Sequence, residues 1–254
     1  MDTRFWGPSG WKLLHQATFD YCPSKRVLYG RFLETIPYIL PCKFCRTSLT
    51  DFYALHTYKK ALSSQAALVK WLYEIHNCVN DKLRDQSLHP EANPTLAQVK
   101  LMYTTWMNEY TPLQRLATFW DFLFAVAYNH PKEASKGSTP IQDCPSDAKR
   151  CADPCVRNRW NTMEPGQRMH WYEQFWDTLP AVLGDLEPSW RQSQTTTKRD
   201  LSCRRSVVAW LWRQRCAMDP EFKDPYTSIC KRVASYSSGC AAAKRAKTCR
   251  KKRH

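Results

Sequence analysis

The sequence predicts an all-α protein. Apolar residues recur at helical spacing along most of the chain, and almost nothing alternates with period two. The 254 residues include only 7 glycines, too few for a turn-rich β-sandwich. Glycine-rich phosphate loops are excluded with them, since neither GxGxxG nor GxxxxGK[ST] occurs.

The elements follow in order. Trp11, Leu14, His15 and Thr18 share one face of a first helix. Leu28, Phe32, Ile36 and Ile39 form the stripe of a second helix over 25–40, which Pro41 ends. A third helix starts at Cys42 and runs to about His56. Ser63-Ser64 offers an N-cap for a fourth, whose apolar set is Leu68, Trp71, Leu72, Ile75 and Val79. His89-Pro90 and Asn93-Pro94 mark 85–94 as a loop, and a short fifth helix follows over 95–109. Residues 1–112 therefore read as one domain, a four-helix bundle plus a short fifth helix.

The second half repeats these anchors in the same order. Phe119-Trp120 through Phe124 echoes Gly10-Trp11 through His15. Tyr172 through Leu183 echoes Tyr29 through Leu40, and Val207 through Trp212 echoes Leu68 through Tyr73. Asp224-Pro225 ahead of Lys231 echoes Asn93-Pro94 ahead of Lys100. The expectation is a second helical domain over 113–240, a degenerate copy of the first, interrupted by a loop insertion at about 130–170. The final stretch, 241–254, holds seven Lys or Arg and no acid, a basic disordered tail.

Composition narrows the function. At 43% hydrophobic and 24% charged the chain is globular rather than disordered. No run of 18 apolar residues exists to span a bilayer. The opening MDTRFWGPSGWKLLHQ has no basic-then-apolar pattern, so no secretory signal peptide is expected. Twelve cysteines without an export signal read as catalytic or metal-binding. Cys22, Cys78, Cys203, Cys216 and Cys230 fall on or near helical stripes and read as small buried hydrophobes. The net charge of +15 and the tail admit a nucleic-acid or acidic partner, and a nuclear address.

Cys42-Lys43-Phe44-Cys45 is a CxxC at a helix start, where unpaired N–H groups and the helix dipole lower a thiol pKa. Lys43 and Arg46 add positive charge. Alone, the motif fits a redox pair, half a zinc site or coincidence. A thioredoxin motif lacks its preceding strand, and a zinc site lacks two further close ligands, so no metal is expected. On the fourth helix His76, Asn80 and Leu83 share a face with Asn77 beside them, directly next to the apolar stripe. Imidazole and carboxamides at a core margin need partners. A planar heteroaromatic ligand would supply them, and solvent is the alternative.

Three strings together, Trp6-Gly7-Pro8-Ser9-Gly10-Trp11-Lys12-Leu13-Leu14-His15, Cys42-Lys43-Phe44-Cys45 and His76-Asn77-Cys78-Val79-Asn80-Asp81-Lys82-Leu83, resemble the Erv/ALR family of FAD-dependent sulfhydryl oxidases, over about residues 1–112. The chain looks most like the two-domain members of large double-stranded DNA viruses. Its second half is similar in arrangement to the pseudo-Erv repeat of quiescin-type oxidases, with Leu183-Gly184-Asp185-Leu186 in place of the CxxC. Arg215, Cys216 and Asp219 stand there in place of His76, Asn77 and Asn80.

The resemblance implies a helical bundle holding FAD, with Cys42 as the interchange sulfur and Cys45 as the flavin-side sulfur. It assigns cofactor contacts to Trp6, Gly7, Trp11, His15, His76, Asn77, Val79, Asn80, Lys82, Leu83 and Tyr103. Protein dithiols would be oxidised, with electrons passing through the cysteine pair and FAD to O2 and yielding H2O2. A homodimer is implied, in the host cytoplasm or the virion. A second, shuttle cysteine pair would be drawn from Cys151/Cys155 or Cys240/Cys249, whose other reading is structural. The alternative for the whole chain is a non-enzymatic helical adaptor or nucleic-acid-binding protein with a structural CxxC, which would be colourless.

Overall fold

A computed structural model describes residues 1–88, 91–131 and 165–237. They form twelve α-helices, and no strand occurs among them. The first five main helices are α1 (Thr3–Phe19), α2 (Arg26–Ile39), α3 (Lys43–Leu55), α5 (Gln65–Asp85) and α6 (Leu96–Glu109). The single turn α4 (Tyr58–Ala61) joins α3 to α5, and α7 (Pro112–Ala117) leads into the second half. There follow α8 (Trp120–Tyr128), α9 (Pro165–Thr178), α10 (Glu187–Thr196), α11 (Arg204–Met218) and α12 (Tyr226–Ser235).

Helix ends follow local chemistry. Asp2 caps α1 by accepting from the Arg4 N–H at 2.9 Å, and Ser64 caps α5 by accepting from the Ala67 N–H. Thr95 and Thr111 form capping boxes with Gln98 and Gln114. Two short helices, α4 and α7, lie outside the predicted set. The stripe from Trp11 to Thr18 belongs to a longer helix that already contains Gly7, Pro8 and Gly10. The insertion expected to reach about residue 170 ends earlier, because α9 begins at Pro165, which suits the first helical turn.

The core is continuous between the halves. Helix α2 packs most extensively on α9, and α1 on α8. These are the pairs the sequence echoes predict as equivalents. Phe32 and Phe175, matched in the echo, meet ring to ring at 5.6 Å and are fully buried. Within each half the packing is also alike: α1 lies on α5 and α6, and α8 lies on α11 and α12. Tyr73 Oη donates to the Pro94 carbonyl at 3.0 Å, and its echo Trp212 donates Nε1–H to the Asp224 carbonyl at 3.0 Å.

Polar ties cross between the halves. Ser9 Oγ donates to the Thr118 carbonyl at 2.7 Å and accepts from the Phe122 N–H at 3.0 Å. Gln174 donates to the Arg31 carbonyl, and Lys25 pairs with Glu187 at 2.6 Å. Gly10 is needed where α1 meets α8, since a Cβ there would stand 3.0 Å from a Phe122 ring carbon. Among the cysteines read as buried hydrophobes, Cys22 is exposed and Cys78, Cys203, Cys216 and Cys230 are half-buried. Their stripes lie at the margins of the packed faces rather than at their centres.

Phe175→Ala is expected to lower the free energy of unfolding by about 3–5 kcal/mol, the cost of a large core cavity. Urea titration of the full chain measures it, with Val27→Ala at an exposed site as the near-neutral control. A loss at Phe175 no larger than at Val27 would mean that the interface is not packed as described.

Candidate functional site

Cys42 is the N-cap of α3, in extended conformation, and Cys45 lies in the helix's first turn. Both sulfurs therefore sit where the helix end favours a thiolate. Cys42 is buried at 5% exposure and Cys45 is half-buried. The Arg46 side chain folds back over the helix start, where Nη1 donates to the Leu40 carbonyl at 2.7 Å. Burial pushes its guanidinium pKa down, while Tyr172, Cys42 and Cys45 nearby push it back up. Tyr172 comes from α9 and donates to the Asn129 carbonyl at 3.0 Å, so the second half reaches the neighbourhood of the CxxC.

Cys45 forms part of the wall of a largely apolar cavity of about 330 Å³. That is within the range of about 300–1,000 Å³ typical of small-molecule sites. The cavity brings together most of the residues singled out from the sequence. Trp6, Gly7 and Trp11 line it from α1, and His76, Val79, Asn80, Lys82 and Leu83 line it from α5. Helix α5 aims them there because Leu68, Trp71, Leu72 and Ile75 bury the adjacent stripe in the core. Lys82 Nζ donates to Ser48 Oγ at 2.6 Å, joining α5 to α3 one turn beyond Cys45. Trp6 buries its indole N–H at this wall with no protein partner.

Cys42, His15, Asn77 and Tyr103 are not walls of the cavity. His15 lies one layer back, 1% exposed, with its Nε2 3.0 Å from His76 Nδ1. Trp11 stacks on His76 at 3.7 Å, and Tyr103 stacks on His15 at 4.4 Å. Burial, with the charge of His76, holds the His15 pKa down at about 3. The sequence reading missed Arg4, Gly10, Ser48 and Phe122 among the walls. Phe122 belongs to α8, and no local pattern signals it. Cys151, Cys155, Cys240, Cys249 and the tail 241–254 lie outside the described residues.

In the second half, large side chains pack the core. Arg215, the echo of His76, lies over the rings of Trp120 and Phe222 at 5.5 and 3.7 Å. Trp120 stacks on Trp190 at 5.9 Å, and Trp176 meets Trp210 edge-on at 5.2 Å. All four tryptophans are fully buried. Their indole N–H groups also lack partners, but Trp6 is the member of this group that lines the cavity of the first half.

The pH dependence of stability tests the burial of His15. An unfolded histidine takes a proton below about 6.5, whereas buried His15 resists until about 3. Protons therefore favour the unfolded chain, and stability falls as pH drops through that window, by up to about 1.4 kcal/mol per pH unit for this group. Chemical denaturation of the wild type and His15→Gln at several pH values is expected to show a shallower acid slope in the variant. Equal slopes would contradict a neutral, buried His15.

Comparison with known proteins bears on the same residues. The Erv1/Alr family model matches residues 8–104, which carry most of the cavity's walls but not Trp6, Gly7 or Phe122. A probable FAD-linked sulfhydryl oxidase of Acanthamoeba polyphaga mimivirus is 34% identical over 100 residues, covering 36% of this chain and 68% of that protein. A putative FAD-linked sulfhydryl oxidase of Invertebrate iridescent virus 3 is 29% identical over 92 residues, covering 35% of this chain and 62% of that protein. One from Invertebrate iridescent virus 6 is 29% identical over 102 residues, covering 36% of this chain and 90% of that protein. No solved structure gives a significant match. With Cys42, Cys45 and the α5 face of His76, Asn80 and Leu83 falling inside the matched region, the chain belongs to the Erv1/Alr family.

Proposed function

We propose that this protein is an FAD-dependent thiol oxidase that forms disulfides in protein substrates. One observation carries the reading: Cys45 of the CxxC shares a cavity with His76, Val79, Asn80, Lys82 and Leu83. The viral relatives are named FAD-linked sulfhydryl oxidases, and the reading brings that chemistry to this chain.

The residues present suit the cofactor. The cavity is apolar enough to take a flat ring system, and the indole N–H of Trp6 is a buried donor awaiting an acceptor. Lys82 is a cation on the wall suited to phosphate oxygens. FAD, when bound, supplies the two-electron acceptor that hands electrons on to O2 and yields H2O2. The protein's part is thiol exchange. A substrate thiolate attacks Cys42 Sγ in the oxidised pair, and Cys45 leaves as a thiolate, stabilised by the helix start and by Arg46. The second substrate thiol then attacks the mixed disulfide and releases Cys42. The substrate keeps the new disulfide, and the cysteine pair keeps two electrons beside the cavity.

We infer for residues 113–240 a degenerate copy of the 1–112 domain that has lost the cofactor site. Its support is the pairing of α1 with α8 and α2 with α9, and the replacement of His76 and Asn80 by Arg215 and Asp219. The dimer implied by the family would need faces of the bundle other than those that α8 and α9 cover. The viral relatives favour a viral or host-cell setting. Among the described residues no helix is long and apolar enough to cross a membrane.

Oxygen consumption with dithiothreitol tests the reading. Wild type is expected to turn over, and Cys42→Ser and Cys45→Ser are each expected to lose at least about a hundredfold while remaining yellow, since covalent exchange has no substitute nucleophile. Turnover surviving either change would refute the role of the pair.

A further inference from the structure

We propose that Tyr236 is a positioning residue: from the end of the second half it clamps the first turn of α1 and so sets the cavity wall formed by Thr3, Arg4, Trp6 and Gly7. This inference rests on the flavin reading only for the identity of the ligand that the wall serves.

Helix α1 divides its residues between two neighbours. Thr3, Trp6, Gly7, Gly10, Trp11 and Leu14 recur at helical spacing and line the cavity. Asp2, Phe5 and Ser9 also recur at helical spacing, are not walls, and meet the second half. The Asp2 N–H donates to the Tyr236 carbonyl at 3.0 Å. The Phe5 ring stacks on the Tyr236 ring, with centroids 4.5 Å apart and planes 8° from parallel. One turn on, Ser9 holds the Thr118 carbonyl and the Phe122 N–H. Contacts to the second half therefore fix how α1 is rolled over its first two turns. That roll decides where Thr3 and Trp6 stand in the wall.

The first turn needs this support. Helix ends fray first, because their outer N–H groups have no partner within the helix. Here Gly7 and Gly10 favour the helix little, and Pro8 has no N–H to give the Arg4 carbonyl. The clamp itself is anchored in the second half. Ile229 and Val233 of α12 are buried, and Arg232 pairs with Asp121 of α8 at 2.5 Å. The Arg232 guanidinium also lies over the Phe5 ring, 5.6 Å from its centroid. The Tyr236 ring, by contrast, is 39% exposed, so it stands outside the core of the second half and stacks on α1. Without that stack the first turn opens more often, and in the open state Thr3, Arg4 and Trp6 leave the wall. A ligand that needs the wall binds only the closed state, so its affinity falls with the closed fraction.

The test uses the full chain and two readouts. An aromatic pair shifts a nearly balanced helix start by about fivefold, so hydrogen exchange over residues 1–8 of Tyr236→Ala is expected to run about threefold faster than in wild type. Exchange in α5 is expected to stay as it is. FAD titration of the cofactor-stripped variant is expected to give an affinity about twofold weaker, as the closed fraction is roughly halved. Tyr236→Phe keeps the ring and is expected to match wild type in both. Phe5→Ala removes the other ring and is expected to reproduce both shifts, with no further shift in the double variant. Unchanged exchange at the first turn would overturn the proposal, as would faster exchange spread equally over α5. Faster first-turn exchange with undiminished FAD affinity would overturn it too. If Tyr236→Ala fails to fold, Phe5→Ala decides. A wild-type chain that takes up no FAD would refute the flavin reading, and the exchange result would still decide the clamp.

Discussion

The site depends on how one helix is rotated. Helix α5 buries Leu68, Trp71, Leu72 and Ile75, and the full length of that stripe fixes the direction of every other side chain on the helix. With the stripe seated on α1 and α3, the next face, His76, Val79, Asn80 and Leu83, has one place to go: the gap between those two helices. Cys45 stands in the first turn of α3 at the same gap. The apolar burial that stabilises the bundle is thus also what brings a helix-start sulfur beside imidazole and carboxamide groups.

Much of this was legible because it rests on local patterns. The α5 stripe and the polar face beside it are read directly from the spacing of Trp71, Ile75, His76 and Asn80. The CxxC at a helix start follows from Pro41 and the apolar residues after it. What could not be read depends on contacts between distant segments. Phe122 enters the cavity from α8 because Gly10 leaves room for its ring, and Ser48 is drawn in by Lys82 from another helix. The early start of α1 was hidden by Gly7, Pro8 and Gly10, which disfavour a helix locally and are overruled by packing against α8. The resemblance implies that His15 contacts the cofactor, but the layer in which each ring sits is a tertiary property.

The two halves fill their interiors differently. In the first, small residues and an aromatic pair, Trp11 on His76, leave a gap. In the second, the buried indoles of Trp120, Trp176, Trp190 and Trp210 pack the interior, and Arg215 lies over Trp120 and Phe222. The packed half then braces the open one along α1 and α2. Through Phe122 it completes the cavity wall, and through Tyr172 it approaches the helix start that bears the cysteines. A cavity is costly to maintain in a small bundle, and a rigid neighbour with a dense core offsets that cost.

The most direct test of the central claim is a crystal structure of the flavin-loaded protein. The account predicts the tricyclic ring in the cavity between α1, α3 and α5, against Cys45 Sγ and within hydrogen-bond reach of His76 or Asn80. A ring bound elsewhere, or bound with Cys45 turned away from it, would contradict the account.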